Sequence, residues 1–269
     1  MNLLVDMGNT RLKWLLIDTS WLLIDLGWLL SWAETRKRNL HSGGERLRGA
    51  DLARQLDDAW SKLTVPQRVV VANVAGAEAQ QDLQTWVHHH WPAARLHFVL
   101  ATATQLGVNN SYREPARLGS DRWAALIGAR ARWTGPLCLV DAGTALTVDA
   151  LDANGAFVGG VILPGIELAR RALLARAPGV TAVDGDDSSC FAHSTADGVA
   201  AGTLYGAVGA VERIVAEFGV RLGKDMRVLL TGGDAQRLRP HLHARLAYDI
   251  EEVPDLVLQG LARIAESLT

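Results

Sequence analysis

Two short apolar runs, Leu3 to Val5 and Leu137 to Val140, each end in an aspartate followed by a glycine turn. A brief continuous apolar run bounded by turn residues predicts a buried strand. The turns read Asp6-Met7-Gly8-Asn9-Thr10 and Asp141-Ala142-Gly143-Thr144-Ala145, about half a chain apart. Between them the pattern alternates between helix and strand. Asp51 to Leu63 is amphipathic, Arg68 to Val74 reads as a buried strand, Gly76 to His90 as a helix and Arg95 to Leu100 as a strand. A loop from Asn109 carries Tyr112, Pro115 and Gly119, and a helix follows from about Ser120 to Trp133. The second strand cluster spans Leu137 to Asp149 and Ala156 to Leu163, with Asn154-Gly155 as its hairpin signal. A helix from Ile166 to Ala175, a polar loop from Pro178 to Ala192 and a long helix to Phe218, N-capped by Thr195, come next. Strand Arg227 to Leu230 opens into Thr231-Gly232-Gly233-Asp234, and a helix from Asp255 to Leu268 closes the chain. This order describes an α/β protein of two domains, residues 1–115 and 116–269.

Two stretches stand outside the alternation. Trp14-Leu15-Leu16-Ile17-Asp18-Thr19-Ser20 is followed by Trp21-Leu22-Leu23-Ile24-Asp25-Leu26-Gly27 and by Trp28-Leu29-Leu30. A coiled coil needs more heptads and charged flanks, so consecutive strands of a meander fit better. In the long helix, Gly198, Gly202 and Gly206 share one face. Glycines weaken a helix, which makes sense if another backbone or a ligand approaches closely, as a dimer contact or the floor of a cleft.

Composition narrows the class. Hydrophobic content of 49% and charged content of 21% are those of a soluble globular protein, and a net charge of −2 gives no general pull toward nucleic acid or an anionic membrane. The basic run Arg36-Lys37-Arg38 reads as a solvated turn. Two cysteines, Cys138 and Cys190, have no metal spacing and fit a reducing compartment. Asp6 interrupts any signal-peptide core, and Asp18 and Asp25 argue against a membrane span over residues 14–32. His88-His89-His90 splay around a helix end and make a poor metal site.

The candidate chemistry lies in the turns. Glycine lets backbone N–H groups approach an anion, a hydroxyl adds a hydrogen bond and a carboxylate holds a cation. The same residues also suit an ordinary strand end. Lys13 could meet a phosphate or be a solvated strand residue, and Gly232-Gly233 could approach a nucleotide or turn a corner. Asp121 and Arg122 fall in a first helical turn, where the helix dipole favours an acid without any catalysis. Taken together, two glycine–hydroxyl turns, a Gly-Gly turn and an Asp-Arg pair describe phosphoryl transfer to a negatively charged alcohol.

These motifs, with Gly119-Ser120-Asp121-Arg122 and Gly159-Gly160-Val161-Ile162-Leu163-Pro164-Gly165, resemble the type III pantothenate kinase family, also called the Bvg accessory factor family. The resemblance runs from residue 1 to about residue 260. It implies a duplicated ribonuclease-H-like fold of the actin, Hsp70 and sugar-kinase superfamily, with an ATP cleft between two domains. It implies a homodimer in the bacterial cytoplasm that converts pantothenate and ATP to 4'-phosphopantothenate, the first step toward coenzyme A, without nucleic-acid or membrane partners. Mg2+ with the nucleotide and a monovalent cation, K+ or NH4+, are implied as well. Carried over by position, Asp6, Gly8, Asn9, Thr10, Lys13, Gly143, Thr144, Gly232 and Gly233 line ATP. Tyr112, Gly119, Ser120, Asp121, Arg122 and Thr195 hold pantothenate, Asp121 is the general base and Asp141 binds the monovalent cation. The Trp14 to Leu30 block is longer than the family's usual hairpin. A helix start predicts a low pKa for Asp121, which a loose transition state tolerates. Two rival readings are a regulatory protein that keeps the nucleotide cleft without turnover, and another small-molecule kinase of the superfamily.

Overall fold

The computed structural model describes residues 1–18, 42–46, 52–177, 179–180 and 184–268. The chain forms two compact units, Met1–Thr134 with Asp255–Thr269, and Gly135–Pro254. The division therefore falls at Thr134 rather than at residue 115, and the C-terminal segment returns to the first unit.

The first unit is built on strands β1 (Asn2–Met7), β2 (Arg11–Ile17), β3 (Ser42–Arg46), β4 (Arg68–Asn73) and β5 (Arg95–Phe98) in the order β3-β2-β1-β4-β5. β1, β2 and β3 form an antiparallel meander, while β4 runs parallel to β1 and β5 parallel to β4. Alternate residues Leu3, Val5, Met7, Val69 and Val71 join one core with α1 (Leu52–Trp60) and α2 (Ala77–His90). Four tryptophans fill it: Trp60 stacks on Trp91 at 5.7 Å and meets Trp14 and Trp86 edge-on. On α3 (Ser120–Arg132) and α7 (Leu256–Ser267) the buried faces pack together and against β4. A short hairpin of β6 (Thr104–Gln105) and β7 (Val108–Asn110) turns through Leu106 and Gly107, both with positive φ.

The second unit repeats the plan. Its strands β8 (Leu137–Ala142), β9 (Ala145–Leu151), β10 (Ala156–Pro164), β11 (Arg227–Thr231) and β12 (Ile250–Glu252) lie in the order β12-β11-β8-β9-β10. Again three strands form an antiparallel meander and two add in parallel. Each unit thus holds the same topology, with Asp6 and Asp141 at the same position near the end of the first strand. The core takes Cys138, Val140, Val148 and Val228 from the sheet, with α5 (Thr195–Leu222) and α6 (Ala235–His243) packed on it. A further helix, α4 (Ile166–Arg176), follows β10.

Boundaries expected from the pattern agree to within a few residues for most elements. The pattern had no assignment for α6, for β12 or for the β6–β7 hairpin, whose two- and three-residue strands are too short for periodicity to register. Ser194, not Thr195, caps α5: its hydroxyl accepts from Asp197 N–H at 3.1 Å and Thr195 is the first helical residue. By length and composition α5 could cross a membrane, at mean hydropathy 1.3, yet Val199, Leu204, Val208, Val211 and Val215 bury in this unit's core. The first tryptophan copy begins inside β2, whereas the rest of the repeat beyond Asp18 and the Arg36–Arg38 run lie outside the described residues.

Candidate active site

In the first unit β1 ends at Met7 and β2 starts at Arg11, so Gly8-Asn9-Thr10 is the connecting turn, closed by Gly8 N–H donating to the Arg11 carbonyl at 3.0 Å. Asp6 lies directly opposite Lys13. Opposed residues of an antiparallel pair share a face, so the carboxylate and the ammonium leave the sheet together. β4 runs alongside and pairs Met7 with Asn73. The Asn73 carbonyl accepts the buried Ser120 hydroxyl at 3.2 Å, which ties the first turn of α3 to the strand end next to the Asp6 corner. Ligand sites of parallel sheets gather at such carboxyl ends of strands.

Around that helix start the groups interlock. Asp121 Oδ1 accepts from Arg122 N–H at 2.7 Å. A Cβ on Gly119 would lie 2.6 Å from Asp121 Oδ1 and displace that carboxylate. Arg122 is buried at 7% exposure and donates from Nη1 to the Tyr112 hydroxyl at 3.0 Å. Tyr112 is itself set by Asn110, whose Oδ1 accepts Tyr112 N–H at 3.0 Å and whose Nδ2 donates to the Pro115 carbonyl at 3.1 Å. Trp123 donates to Gln105 Oε1 at 2.8 Å and fixes the helix against the β6–β7 hairpin. Asn73, Asn110 and Gln105 were not singled out in the sequence. Asn73 and Gln105 act on Ser120 and Trp123, distant in the chain, while Asn110 orders its own loop through Tyr112 and Pro115, and no short motif marks any of the three.

The pKa of Asp121 departs from expectation. Burial pushes its carboxyl above the ordinary carboxylate value, and the Arg122 N–H and guanidinium pull it only part of the way back. The helix-start argument predicted a lowered value; desolvation outweighs it. A carboxylate held in this state is a better proton acceptor than a free one.

In the second unit β8 and β9 are joined by Gly143-Thr144, with Gly143 N–H donating to the Ala145 carbonyl at 3.0 Å. Gly165 donates its N–H to the Thr144 carbonyl at 3.0 Å. A Cβ on Gly165 would overlap the Gly143 carbonyl and sit 2.7 Å from that of Thr144, so the glycine that ends the Gly159–Gly165 motif is there for close packing on the turn. β11 sets Thr231 opposite Asp141, and Gly232 follows at φ +95. A side chain on Gly232 would overlap the Ala142 carbonyl and lie 2.5 Å from Asp141 Oδ1. Asp234 N–H closes the corner on the Ala142 carbonyl at 2.9 Å. Asp141, Gly143, Thr144, Gly232 and Gly233 are thus brought to one corner, beside a shallow recess lined by Ala142, Gly143, Gly165, Ile166 and Asp234. Thr195 stands exposed at the N-terminus of α5.

The absence of a side chain at Gly232 lets the main chain lie against the Asp141 carboxylate and the Ala142 carbonyl, and a carboxylate oxygen is the kind of ligand a hard cation such as K+ or Mg2+ takes. Among the described residues no group of three or more His, Cys, Asp or Glu side chains is arranged around a metal-sized position. In the histidine run, His90 stacks on Trp86 at 4.2 Å.

A family model for type III pantothenate kinase matches residues 2–217. The chain belongs to the type III pantothenate kinase family. Relatives named type III pantothenate kinase include one from Nitrosococcus oceani, 36% identical over 99% of this chain and 94% of its own length, and one from Herminiimonas arsenicoxydans, 40% identical over 98% and 97%. Among solved structures, a Sinorhizobium meliloti protein described as a 2-dehydro-3-deoxygalactonokinase superposes with TM-score 0.59 at 15% identity, covering 100% of this chain and 99% of the other. A Campylobacter jejuni protein described as a Baf family transcriptional activator gives 0.55 at 19% identity, with 98% of each chain covered. The fold is the duplicated ribonuclease-H-like one expected from the sequence: the two units repeat one strand order, and the Sinorhizobium meliloti chain superposes over the whole length. A member of this family is a kinase.

Proposed function

We propose that the protein phosphorylates the primary hydroxyl of pantothenate with ATP, giving 4'-phosphopantothenate for coenzyme A synthesis, and that Asp121 is the general base. The observation that carries the choice of base is the Asp121 carboxyl itself: its pKa is raised by burial, Gly119 leaves room for it, and it adjoins Arg122, whose guanidinium donates to the Tyr112 hydroxyl. The hydroxyl oxygen attacks the γ-phosphorus, the bond from that phosphorus to the β,γ-bridging oxygen breaks to release ADP, and the hydroxyl proton passes to Asp121. Arg122 supplies the charge partner for the pantothenate carboxylate, with Tyr112, Gly119, Ser120 and Thr195 completing the acceptor side. Asp6, Gly8, Asn9, Thr10, Lys13, Gly143, Thr144, Gly232 and Gly233 serve ATP. Mg2+ bound with the nucleotide neutralises phosphate charge. Asp141 is assigned the monovalent cation, for which its carboxylate is a suitable oxygen ligand.

The test is a coupled assay of ADP release with pantothenate, ATP and Mg2+, in K+ and in Na+. Turnover that requires pantothenate and is faster in K+ or NH4+ is expected. Absence of turnover with intact nucleotide binding would favour the regulatory reading instead. Equal rates in the two salts would remove the cation role of Asp141.

The protein is proposed to act as a cytoplasmic homodimer. The support lies on α5, where Gly202, Gly206 and Gly209 leave open space within 4 Å of any added Cβ, and where Tyr205 and Val220 are exposed, Val220 at 87%. Sedimentation equilibrium should return twice the chain mass of 29.0 kDa, and a monomer across micromolar concentrations would refute the assignment.

A further inference from the structure

We infer that Arg237 is a positioning residue that ties the Gly232–Asp234 turn to the loop preceding α5, so that the nucleotide side of the second unit sets the acceptor side; this rests on the ATP and pantothenate assignments proposed above. Arg237 lies in the first turn of α6. Its guanidinium donates from Nη2 to Asp187 Oδ2 at 2.7 Å and from Nη1 to Asp234 Oδ1 at 3.4 Å. One rigid fork therefore spans two carboxylates from segments far apart in the chain. Asp234 precedes α6 but makes no side-chain cap, so its carboxylate is turned to Arg237 instead.

The loop is fastened at its other end as well. Asp186 N–H donates to Asp197 Oδ1 at 2.9 Å, and the Ser194 hydroxyl donates to Asp197 Oδ2 at 2.7 Å. Within the loop Ser188 closes on Asp186 through its N–H at 2.9 Å and its hydroxyl at 2.8 Å. Gly185 presses on the first turn of α5 so closely that a Cβ would overlap the Ala196 carbonyl and come within 2.7 Å of Asp197 N. The path from Gly232 through Asp234, Arg237 and Asp187 to Asp197 is thus continuous, and it ends on the helical turn that presents Thr195. A single half-exposed ion pair contributes little to stability. The effect of Arg237 is connection: a ligand that orders one segment reduces the freedom of the other.

The test uses the full-length protein and the variants Arg237→Ala, Arg237→Lys, Asp187→Asn and the double variant Arg237→Ala/Asp187→Asn. Pantothenate KM at saturating ATP is expected to rise about threefold in Arg237→Ala and in Asp187→Asn, with kcat within about twofold of wild type. The double variant should go no further than either single one, and Arg237→Lys should recover part of the loss. An unchanged KM, or additive losses in the double variant, would overturn the inference. Hydrogen exchange with and without a non-hydrolysable ATP analogue and Mg2+ provides a second readout. The nucleotide should slow exchange at residues 231–234 in wild type and in Arg237→Ala, but at residues 184–194 in wild type only. Protection at 231–234 without any response at 184–194 in wild type defeats the role of Arg237 alone. No protection at 231–234 in wild type defeats the nucleotide assignment, and the inference with it.

Discussion

Replacing Asp121 with asparagine is expected to lower kcat by about a hundredfold to ten-thousandfold, the usual contribution of a positioned general base, while raising the thermal midpoint at neutral pH. Both effects come from the same burial. The folded carboxyl has its pKa raised above the unfolded value. Between those two values the folded state binds more protons than the unfolded one, so stability falls as pH rises through the interval. Above the interval the native protein holds a charge where solvation is poor. Asparagine keeps an oxygen to accept the Arg122 N–H, which Asp121 Oδ1 accepts at 2.7 Å, and carries no charge. The stability advantage of the variant should therefore shrink as pH is lowered toward the ordinary carboxylate range and be lost below it. Thermal melts of both proteins at neutral and acidic pH, with nucleotide binding measured separately, check this. A variant that retains turnover removes Asp121 from the reaction, and one that melts lower than wild type at neutral pH contradicts the desolvation argument.

The Gly260→Ala variant should lose more than about 2 kcal/mol of stability, even though alanine is the better helix former by about 1 kcal/mol. The reason is the crossing of α3 and α7. A Cβ on Gly260 would overlap the Ala124 carbonyl, and one on Gly128 would meet Gly260 N and the Leu256 carbonyl, each at 2.8 Å. The obstacles are backbone atoms of two buried helices, so no side-chain rotation relieves them. The helices must separate, and α3 carries Asp121, Arg122 and the Ser120 tether to Asn73. A fall in thermal midpoint of at least about 5 °C is expected, with kcat reduced alongside. A midpoint at or above wild type would show that the crossing yields easily and that its glycines are incidental.

Glycine spacing shows where the sequence was informative and where it was not. The Gly198, Gly202, Gly206 stripe predicted a close approach, but within this chain nothing among the described residues comes within 4 Å of a Cβ at Gly202 or Gly206. Tight approaches occur instead at Gly128 with Gly260, at Gly165 on Gly143-Thr144, at Gly185 on Ala196, at Gly219 on Tyr248 and at Gly232 on Ala142. The Gly128 and Gly260 partners are separated by half the chain, so no local period betrays them. The Thr195 hydroxyl suits a helix cap, yet Ser194 holds that position, one residue earlier, and two adjacent hydroxyl residues give a sequence no basis to choose.

Local order along the chain determined the strand–turn pairs, the two aspartate corners, the duplicated α/β plan and the family, because a buried strand and its glycine turn are written in consecutive residues. Only the tertiary structure decided that α7 packs in the first unit against α3, that Ser120 is tied to Asn73, and that Arg237 joins Asp187 to Asp234. It also decided the sign of the Asp121 shift, since the helix dipole can be read from position along the chain, while desolvation depends on atoms that folding brings from elsewhere.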